Sequence, residues 1–401
     1  FWLFLMQSQV FLLCLLLLLG VSVSASVQDS ITPSYNETSQ VWALSFLSGL
    51  ANGHTANSTS VLLQETVTAT NQMLNNTYVQ SLIGTWDVVW GPAIYSRRSE
   101  HIADYCVFIA KQRNEPTWTL SIAGTNPLSL LDWMDDIRVR LTIPWHRIVR
   151  SAPRSSGSIA RGTHNGLMGV MDMTDESGKT IIEFLRDTSF PGNSTFYVTG
   201  HSLGGALTSV VGLYIIDNEA SWKTSDDSVA IKFRPTAGPT PGDSAWNDYF
   251  FTKIGSDPSA FLSEINTIDI VPQAWDATTL AQVPYFYTSC IPFNDLLNDT
   301  VHVTIEWANG QYQQMPKQSY FDGEFTMTGS IECNSPSELL NVDFFLQEAG
   351  YQHMNGYYEP LGICNFIQAF NCVADEVYTG KPLPAVTCHQ NITCDVLPDI
   401  K

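Results

Sequence analysis

Apolar residues in the first quarter of the chain recur at helical spacing and then change to the spacing of strands. Between residues 38 and 83 they return at intervals of three and four positions, which predicts helices. From Thr85 the period is that of strands, and the segments 104–112 and 117–124 flank the turn RNEP. Two such segments joined by a short turn predict a hairpin.

The middle of the chain alternates between helix and strand patterns. Helical spacing is found at 165–186 and 204–220, and apolar strand segments at 194–200, 229–238 and 265–271. Such alternation is typical of the α/β class, in which a mostly parallel sheet is covered by helices on both faces. The segment 277–345, which contains the strand-like VHVTIEW, is expected to elaborate that core.

A leucine-rich run stands near the start of the chain. The apolar stretch from Phe11 to Leu19 is followed by small residues at 23–25, the spacing of a secretory cleavage site, so residues 1–25 are expected to be a signal peptide. No basic residue precedes the stretch, and Met6 is the expected start of the leader. The alternative is a membrane anchor, which needs about 20 apolar residues, more than this run supplies.

Composition narrows the classes of function. The 401 residues include 19 Lys and Arg against 39 Asp and Glu, a formal charge of −20 at pH 7, and 44% are hydrophobic. The hydrophobic content excludes a disordered chain, and the lack of a basic excess excludes a nucleic-acid binder. Negative charge also disfavours anionic membranes and leaves uncharged lipid surfaces accessible.

The cysteines and the N-glycosylation sequons also predict a protein of the secretory pathway, which is either released from the cell or held in a lytic compartment. Most cysteines of an exported chain are expected to be oxidised, although spacing does not fix their connectivity. The expected pairs are Cys290–Cys333, Cys364–Cys372 and Cys388–Cys394, with Cys106 free in a buried strand. N-x-S/T sequons predict a glycoprotein with each asparagine on an exposed turn: Asn36, Asn57, Asn75, Asn193, Asn298 and Asn391.

The strongest chemical signal is Gly200-His201-Ser202-Leu203-Gly204, which has the form G-x-S-x-G. The motif is weak alone, but a predicted strand precedes it and a predicted helix follows it, as a nucleophile elbow requires. The turn is so sharp that its flanking positions must lack a Cβ atom. It raises the Ser202 hydroxyl above the sheet edge, beside the backbone N–H of Leu203. Ser202 is therefore the predicted nucleophile.

A serine nucleophile needs a base and an orienting acid, which follow it on this fold in the order acid, histidine. His353 opens a glycine-containing loop and is the predicted base; His302 lies on the polar face of a predicted strand, and His389 in a tight cysteine loop. Asp269 lies at the carboxyl end of an apolar predicted strand, and parallel sheets place their active groups at the carboxyl ends of the strands. Asp269 is therefore the predicted acid. Two carboxylates remain as alternatives, Asp276 and Asp343.

Five motifs, in this order, resemble those of the class 3 lipases, the fungal-type family of the α/β-hydrolase fold. They are SIAGTNPLSLLDWMDDI for the oxyanion and lid region, GHSLGGAL for the elbow, FRPTAGPTPGDSAWNDYF, DIVP for the acid, and QHMNGYY for the histidine. The resemblance covers roughly residues 85–362. It implies that Ser202 is the nucleophile, Asp269 the acid and His353 the base of a carboxylic-ester hydrolase that needs no cofactor or metal.

The same resemblance implies an oxyanion hole and a lid. Thr125, through its backbone N–H and hydroxyl, and the N–H of Leu203 are the expected oxyanion donors. Apolar residues interspersed with aspartates form the expected lid, for which an ordinary surface helix is the alternative: Leu128, Leu131 and Trp133. The sequence departs from the family at Ala123, where arginine is frequent, and in a long interval between the acid and the histidine, which leaves specificity open.

These expectations divide the chain into four parts. They are a signal peptide at 1–25, an N-terminal helical segment at 26–84, a lipase-like domain at 85–362 and a cysteine-rich tail at 363–401. The expected function is hydrolysis of acylglycerols at a lipid–water interface, with no nucleic-acid partner and no stable membrane insertion. The alternatives are a phospholipase A1, an aryl (feruloyl-type) esterase, or a catalytically silent glycoprotein of the same fold.

Replacing Leu131 and Trp133 with serine tests the lid. A lid that turns its apolar face to lipid would make these variants lose more activity on emulsified substrate than on dissolved short-chain esters. Hydrolysis rates on both substrates measure the difference. Equal losses on the two would contradict the lid hypothesis.

Overall fold

A seven-stranded sheet organises the chain. The structure, a computed structural model, describes residues 32–52, 54–96, 102–124, 140–223, 228–326, 333, 335 and 337–377. The strands lie in the order β1-β2-β3-β6-β7-β8-β9. Their bounds are Trp86–Tyr95 (β1), Tyr105–Gln112 (β2), Thr117–Ile122 (β3), Ser194–His201 (β6), Val229–Thr236 (β7), Glu264–Asn266 (β8) and Ser319–Phe321 (β9). Strands β4 (Thr142–Pro144) and β5 (Ser158–Ala160) form a separate pair.

The direction of the strands confirms the predicted α/β class. Strands β1, β2 and β3 pair antiparallel, which includes the predicted hairpin, and β3, β6, β7, β8 and β9 pair parallel. Parallel neighbours need crossover connections, which the helices supply. Strand β3, which lies inside the sheet between β2 and β6, is buried along its whole length, as expected where helices cover both faces of a sheet.

Helices flank the sheet. The helices are α1 (Glu37–Leu47), α2 (Thr59–Asn75), α3 (Thr77–Ile83), α4 (Trp145–Ile148), α5 (Arg161–Asp172), α6 (Ile181–Asp187), α7 (Leu203–Asp217), α8 (Ser244–Ile254), α9 (Ala277–Leu280), α10 (Asp295–Ala308), α11 (Glu338–Met354) and α12 (Cys364–Val377). Short 3₁₀ turns lie at Ser48–Ala51, Glu219–Ser221, Val283–Tyr285 and Asn355–Tyr357. In the part of the chain described above, none of these helices has the length and apolar character to cross a bilayer.

Two hydrophobic clusters lie on opposite faces of the sheet. Alternate residues of β2 divide between them: Val107 and Ile109 join the larger cluster with α7, whereas Cys106 and Phe108 join the smaller one. The smaller cluster is built from α1, α2, α3 and α12. Successive side chains of a strand point to opposite faces of the sheet, so both faces of β2 need a covering layer. The N-terminal helices cover one of these faces.

Side-chain caps fix where several helices begin. An Asn, Ser or Asp side chain accepts the backbone N–H of the first turn at α1, α2, α3, α8, α10 and α11, and Thr180 forms a capping box with Glu183 at α6. Each such cap satisfies a backbone donor that the helix itself leaves unpaired. The capping box at Thr180 also explains why the helix predicted over 165–186 is two helices.

The predicted strand VHVTIEW is wrong, because these residues lie in helix α10. Alternating β-branched residues favour a strand locally. In the fold, Asn294 caps the helix, and Val301, Thr304 and Ala308 face inward at intervals of three and four residues. Tertiary burial at helical spacing has overridden the local preference. His302 consequently stands on an exposed helical surface.

The cysteines follow the prediction in part. The Cys290–Cys333 disulfide and the free, buried Cys106 are confirmed, and burial raises the pKa of the Cys106 thiol to about 12. Cys364 and Cys372 are both disulfide-bonded, but they lie eight residues apart on helix α12. At 1.5 Å per residue they are about 12 Å apart, beyond the reach of one disulfide, so the predicted Cys364–Cys372 pair is wrong.

The described sequons do not all lie on turns. Asn193 occupies an exposed turn, and Asn36 and Asn57 are exposed. Asn75 is the exposed last residue of α2, and Asn298 lies half-buried within α10. The expectation of an exposed turn is therefore wrong for Asn298, which is half-buried in a helix, and for Asn75, which is exposed but helical. Asn391 and Cys388–Cys394 lie outside the described residues, as do the signal peptide with Met6 and nearly all of the predicted tail beyond α12.

Two glycine-to-alanine substitutions should change the free energy of unfolding in opposite directions. A Cβ atom at Gly212, in α7, would lie 2.2 Å from the ring of Phe233, and we expect this overpacking to cost about 1–3 kcal/mol. A Cβ atom at Gly350, in α11, meets nothing within 4 Å, so helix propensity should stabilise that variant by up to about 1 kcal/mol. Urea unfolding measures both, and a shift of the same sign in the two variants would contradict the packing.

Candidate active site

The junction of β6 and α7 forms a sharp turn at Ser202. Ser202 has φ +63° and ψ −128°, a conformation that side chains rarely adopt. A Cβ atom at Gly200 would lie 2.4 Å from the backbone of Gly204, and one at Gly204 would lie 2.2 Å from the carbonyl oxygen of Ile122. The glycines allow β6, α7 and the end of β3 to approach closely enough to form the turn.

Ser202, His353 and Asp269 lie in one hydrogen-bonded row. His353 Nε2 is 2.8 Å from Ser202 Oγ, and His353 Nδ1 is 2.9 Å from Asp269 Oδ2. A neutral imidazole satisfies both contacts when Nδ1–H donates to the carboxylate and Nε2 accepts from the hydroxyl. His353 stands in the last turn of α11, and Asp269 on the turn that follows β8. All three side chains are buried.

The Asp269 carboxylate is fully buried and is held by hydrogen bonds. The backbone N–H of Val271 donates to Oδ1 at 3.0 Å, and the hydroxyl of Tyr357 donates to Oδ2 at 2.9 Å. Burial, followed by the proximity of Asp269, raises the pKa of Tyr357 well above its usual value, so the phenol keeps its proton and remains a donor. No motif in the sequence assigns this contact to Tyr357, which fits equally well as a core residue.

The His201 side chain points away from Ser202 and binds the backbone of His353. Its Nε2 donates to the carbonyl oxygen of His353 at 2.8 Å, so Nδ1 is the acceptor for the Thr236 hydroxyl at 3.0 Å. Its ring also contacts Phe46 of α1, with centroids 4.7 Å apart. Burial, followed by the proximity of His353, holds the pKa of His201 well below its usual range. His201 is therefore a neutral support.

Backbone segments from α7 and from the end of β3 lie beside Ser202. Leu203 is the first residue of α7, where the N–H has no partner within the helix and lies at the positive end of its dipole. Gly124, two residues after the end of β3, passes so close that a Cβ atom there would lie 2.9 Å from Ser202 Cβ. Asn52 Nδ2 donates to the Gly124 carbonyl oxygen at 3.2 Å. Thr125 and the predicted lid residues Leu128, Leu131 and Trp133 lie outside the described residues.

The other sequence candidates lie elsewhere. The Asp276 carboxylate caps α9 and accepts the N–H of Gln314, Asp343 is exposed and accepts from Gln347, and His302 is exposed on α10. His389 lies outside the described residues. Within the described ranges, no group of three or more His, Cys, Asp or Glu side chains is arranged to hold a metal ion.

Comparisons with known proteins show which family and which fold this chain is similar to. Residues 119–278 match the family model for Lipase (class 3). The fold matches the crystal structure of M37 lipase with a TM-score of 0.68 and 25% sequence identity, over 86% of this chain and 99% of that one. Lipase II from Rhizopus niveus is 19% identical over 61% of this chain and 78% of its own, with a TM-score of 0.41, too low to support a conclusion. No curated protein matches significantly. The predicted resemblance is confirmed.

The low pKa of His201 predicts a pH-dependent stability. The folded protein keeps this imidazole neutral, whereas the unfolded chain binds a proton below about pH 6.5. The free energy of unfolding should therefore fall as the pH falls below about 6.5, by up to about 1.4 kcal/mol per pH unit from this group. His201→Gln retains a donor toward the His353 carbonyl but cannot titrate, and should lose less stability between pH 7 and pH 5.

Urea unfolding at several pH values measures this difference. His302→Gln, at an exposed position on α10, is the matched control and should retain the native pH dependence. Identical pH dependence in the native protein and the His201→Gln variant would contradict a neutral buried His201.

Proposed function

We propose that this chain, a carboxylic-ester hydrolase of the class 3 lipase type, hydrolyses acylglycerols through Ser202, His353 and Asp269. The observation that carries the proposal is the hydrogen-bonded row from the Asp269 carboxylate through His353 to the Ser202 hydroxyl. This is the arrangement that converts a serine hydroxyl into a nucleophile without a metal or cofactor.

The row supports an acyl-enzyme mechanism. Ser202 Oγ attacks the ester carbonyl carbon while His353 Nε2 takes the hydroxyl proton, and Asp269 stabilises the imidazolium through Nδ1–H. Cleavage of the carbon–oxygen bond of the ester releases the alcohol, which takes the proton from Nε2. Water, deprotonated by the same nitrogen, then attacks the acyl group and frees the acid and Ser202.

The backbone beside Ser202 supports stabilisation of the tetrahedral intermediates. The N–H of Leu203, at the start of α7, is the first donor to the oxyanion. The backbone N–H and hydroxyl of Thr125, which follows the glycine packed against Ser202, are the second part of the proposed hole. Loss of one such donor typically lowers the rate by about 10²- to 10³-fold.

The net charge of the chain and the burial of Ser202 support acylglycerols as the proposed substrate class. A chain with a formal charge of −20 is repelled by anionic surfaces and is not hindered at neutral acylglycerol surfaces. Ser202 is only 4% exposed, so the nucleophile must be uncovered before a lipid reaches it. The proposed lid, with Leu128, Leu131 and Trp133, supplies that movement at a lipid–water interface.

We also propose that the protein is secreted and glycosylated. The leucine-rich leader, the disulfide between Cys290 and Cys333 and the exposed sequon asparagines support this proposal. Disulfides persist in oxidising compartments and are rare in the cytosol. Peptide sequencing of the mature protein should find a new N-terminus at residue 26.

Ser202→Ala tests the nucleophile. Removing the Oγ atom should lower turnover by at least about 10⁴-fold, with little change in melting temperature, because the alanine fits the same turn. Ser209→Ala, a buried serine on α7 that faces Met315, is the matched control and should retain activity. A fluorophosphonate probe should modify the native protein at Ser202 alone. A native protein without that adduct would favour a catalytically silent relative.

A hydrolysis panel determines the ester class. Tri-, di- and monoacylglycerols, phosphatidylcholine, galactolipid and feruloyl esters should be compared under one condition, with Ser202→Ala as the blank. The proposal expects the highest rates on acylglycerols. Preference for phosphatidylcholine or for feruloyl esters would instead identify a phospholipase A1 or an aryl esterase with the same triad.

A further inference from the structure

Asn266 joins the turn that carries the acid to the helix that carries the base. It is the last residue of β8, it is fully buried, and its backbone carbonyl accepts the N–H of Asp269 at 3.1 Å. Its side-chain Nδ2 donates to Gln352 twice, to Oε1 at 2.7 Å and to the backbone carbonyl at 3.1 Å. Gln352 immediately precedes His353, so one amide spans the two elements.

The Asn266 amide occupies a space that two glycines keep open. A Cβ atom at Gly323 would lie 2.0 Å from Asn266 Oδ1, and a Cβ atom at Gly356 would lie 2.8 Å from Asn266 Nδ2. Neither glycine has a positive φ. Glycine is therefore required at these positions by the space that Asn266 occupies and not by the backbone conformation. A longer side chain than asparagine would not fit between them.

The contacts also fix which way the amide faces. Asn266 Oδ1 accepts the backbone N–H of Ile268 at 3.1 Å. Gln352 Nε2 donates to the Glu324 carbonyl and to Glu348 Oε1, so its Oε1 is the atom that remains to face Asn266. The position therefore requires a donor and an acceptor in a defined order, which an amide provides and a carboxylate does not.

We propose that Asn266 is a positioning residue that holds His353 in register with Asp269. Asn266 fixes the carbonyl before His353, and His201 fixes the carbonyl of His353 itself. Tyr357, the second donor to Asp269, in turn accepts the backbone N–H of Asn266 at 3.0 Å. The inference rests on the proposed function, because register matters only if this histidine transfers protons to and from Ser202.

Asn266→Asp is the decisive substitution because it preserves size and removes the donor. The ionised carboxylate would face two oxygen atoms of Gln352, which should displace the α11 backbone at His353. A displacement of about 1 Å in a catalytic group can cost about 10²-fold in rate. At pH 8 we expect kcat on a dissolved short-chain ester to fall by about 10- to 100-fold, with KM within about twofold of native.

The pH profile of kcat per folded molecule separates positioning from a loss of folded protein. Protonation of the new carboxyl group restores one donor toward Gln352, so the ratio of variant to native kcat should rise as the pH is lowered. A buried carboxyl group also destabilises the fold less when it is protonated, so the folded fraction is measured by circular dichroism at each pH and kcat is divided by it; a ratio that equals one at every pH after this correction would overturn the inference. Asn341→Asp is the matched control: this buried asparagine on the same helix donates to the Ser335 carbonyl, 12 residues before His353. It should retain native kcat and pH profile.

Three outcomes decide the inference. Native kcat and pH profile in a folded Asn266→Asp variant would overturn it. If that variant does not fold, Asn266→Ala takes its place, because it removes the side-chain donor without adding a charge and leaves the contacts of Gln352 with Glu324 and Glu348 intact: a several-fold fall in kcat supports the inference, and an unchanged kcat overturns it. A native protein that hydrolyses no ester and forms no Ser202 adduct would overturn the proposed function and this inference with it. An active native protein whose Asn266 variants keep native kcat would overturn the inference alone.

Discussion

The close approach of three backbone segments at Ser202 is the constraint on which the rest of the site depends. The end of β6, the first turn of α7 and the end of β3 meet at distances that exclude side chains at Gly200 and Gly204. This contact holds Ser202 at a positive φ and directs the first N–H groups of α7 toward the space above it. The parallel pairing of β3 with β6 sets that distance, so the sheet order itself determines the shape of the turn.

A buried carboxylate imposes the second requirement. Asp269 lies in the interior with its negative charge, which is costly unless hydrogen bonds replace the lost water. The backbone of Val271, the Tyr357 hydroxyl and the imidazole of His353 supply them. The neutral His201 adds a donor behind His353 without adding positive charge. The buried polar groups around Asp269 and His353 are therefore joined by hydrogen bonds whose donors and acceptors are fixed.

The sequence predicted those features that local residues determine. The elbow, the hairpin and the α/β class follow from glycine placement and periodicity. The motifs selected Ser202, Asp269 and His353, which the structure brings within hydrogen-bond distance of one another in one row. Helix α10 and the partners of Cys364 and Cys372 were missed because burial and distance decide them. Asn266 and His201 carry no sequence signature, since their hydrogen-bond partners lie more than 80 positions away in the chain. The family model spans 160 residues, whereas the likeness to M37 lipase spans 86% of the chain, so the surrounding elements also recur.

The N-terminal helices form the rear wall of the site, although they lie outside the segment that matches the family model. Phe46 packs against His201, Asn52 binds the carbonyl of Gly124, and Ser39 Oγ donates to the carbonyl of Leu361. A recombinant fragment that started at β1 would expose this apolar wall to water and leave His201 without its aromatic neighbour. Sequence drift in residues 37–52 therefore has a direct physical path to turnover, because these residues support His201 and the Gly124 backbone that lies beside Ser202.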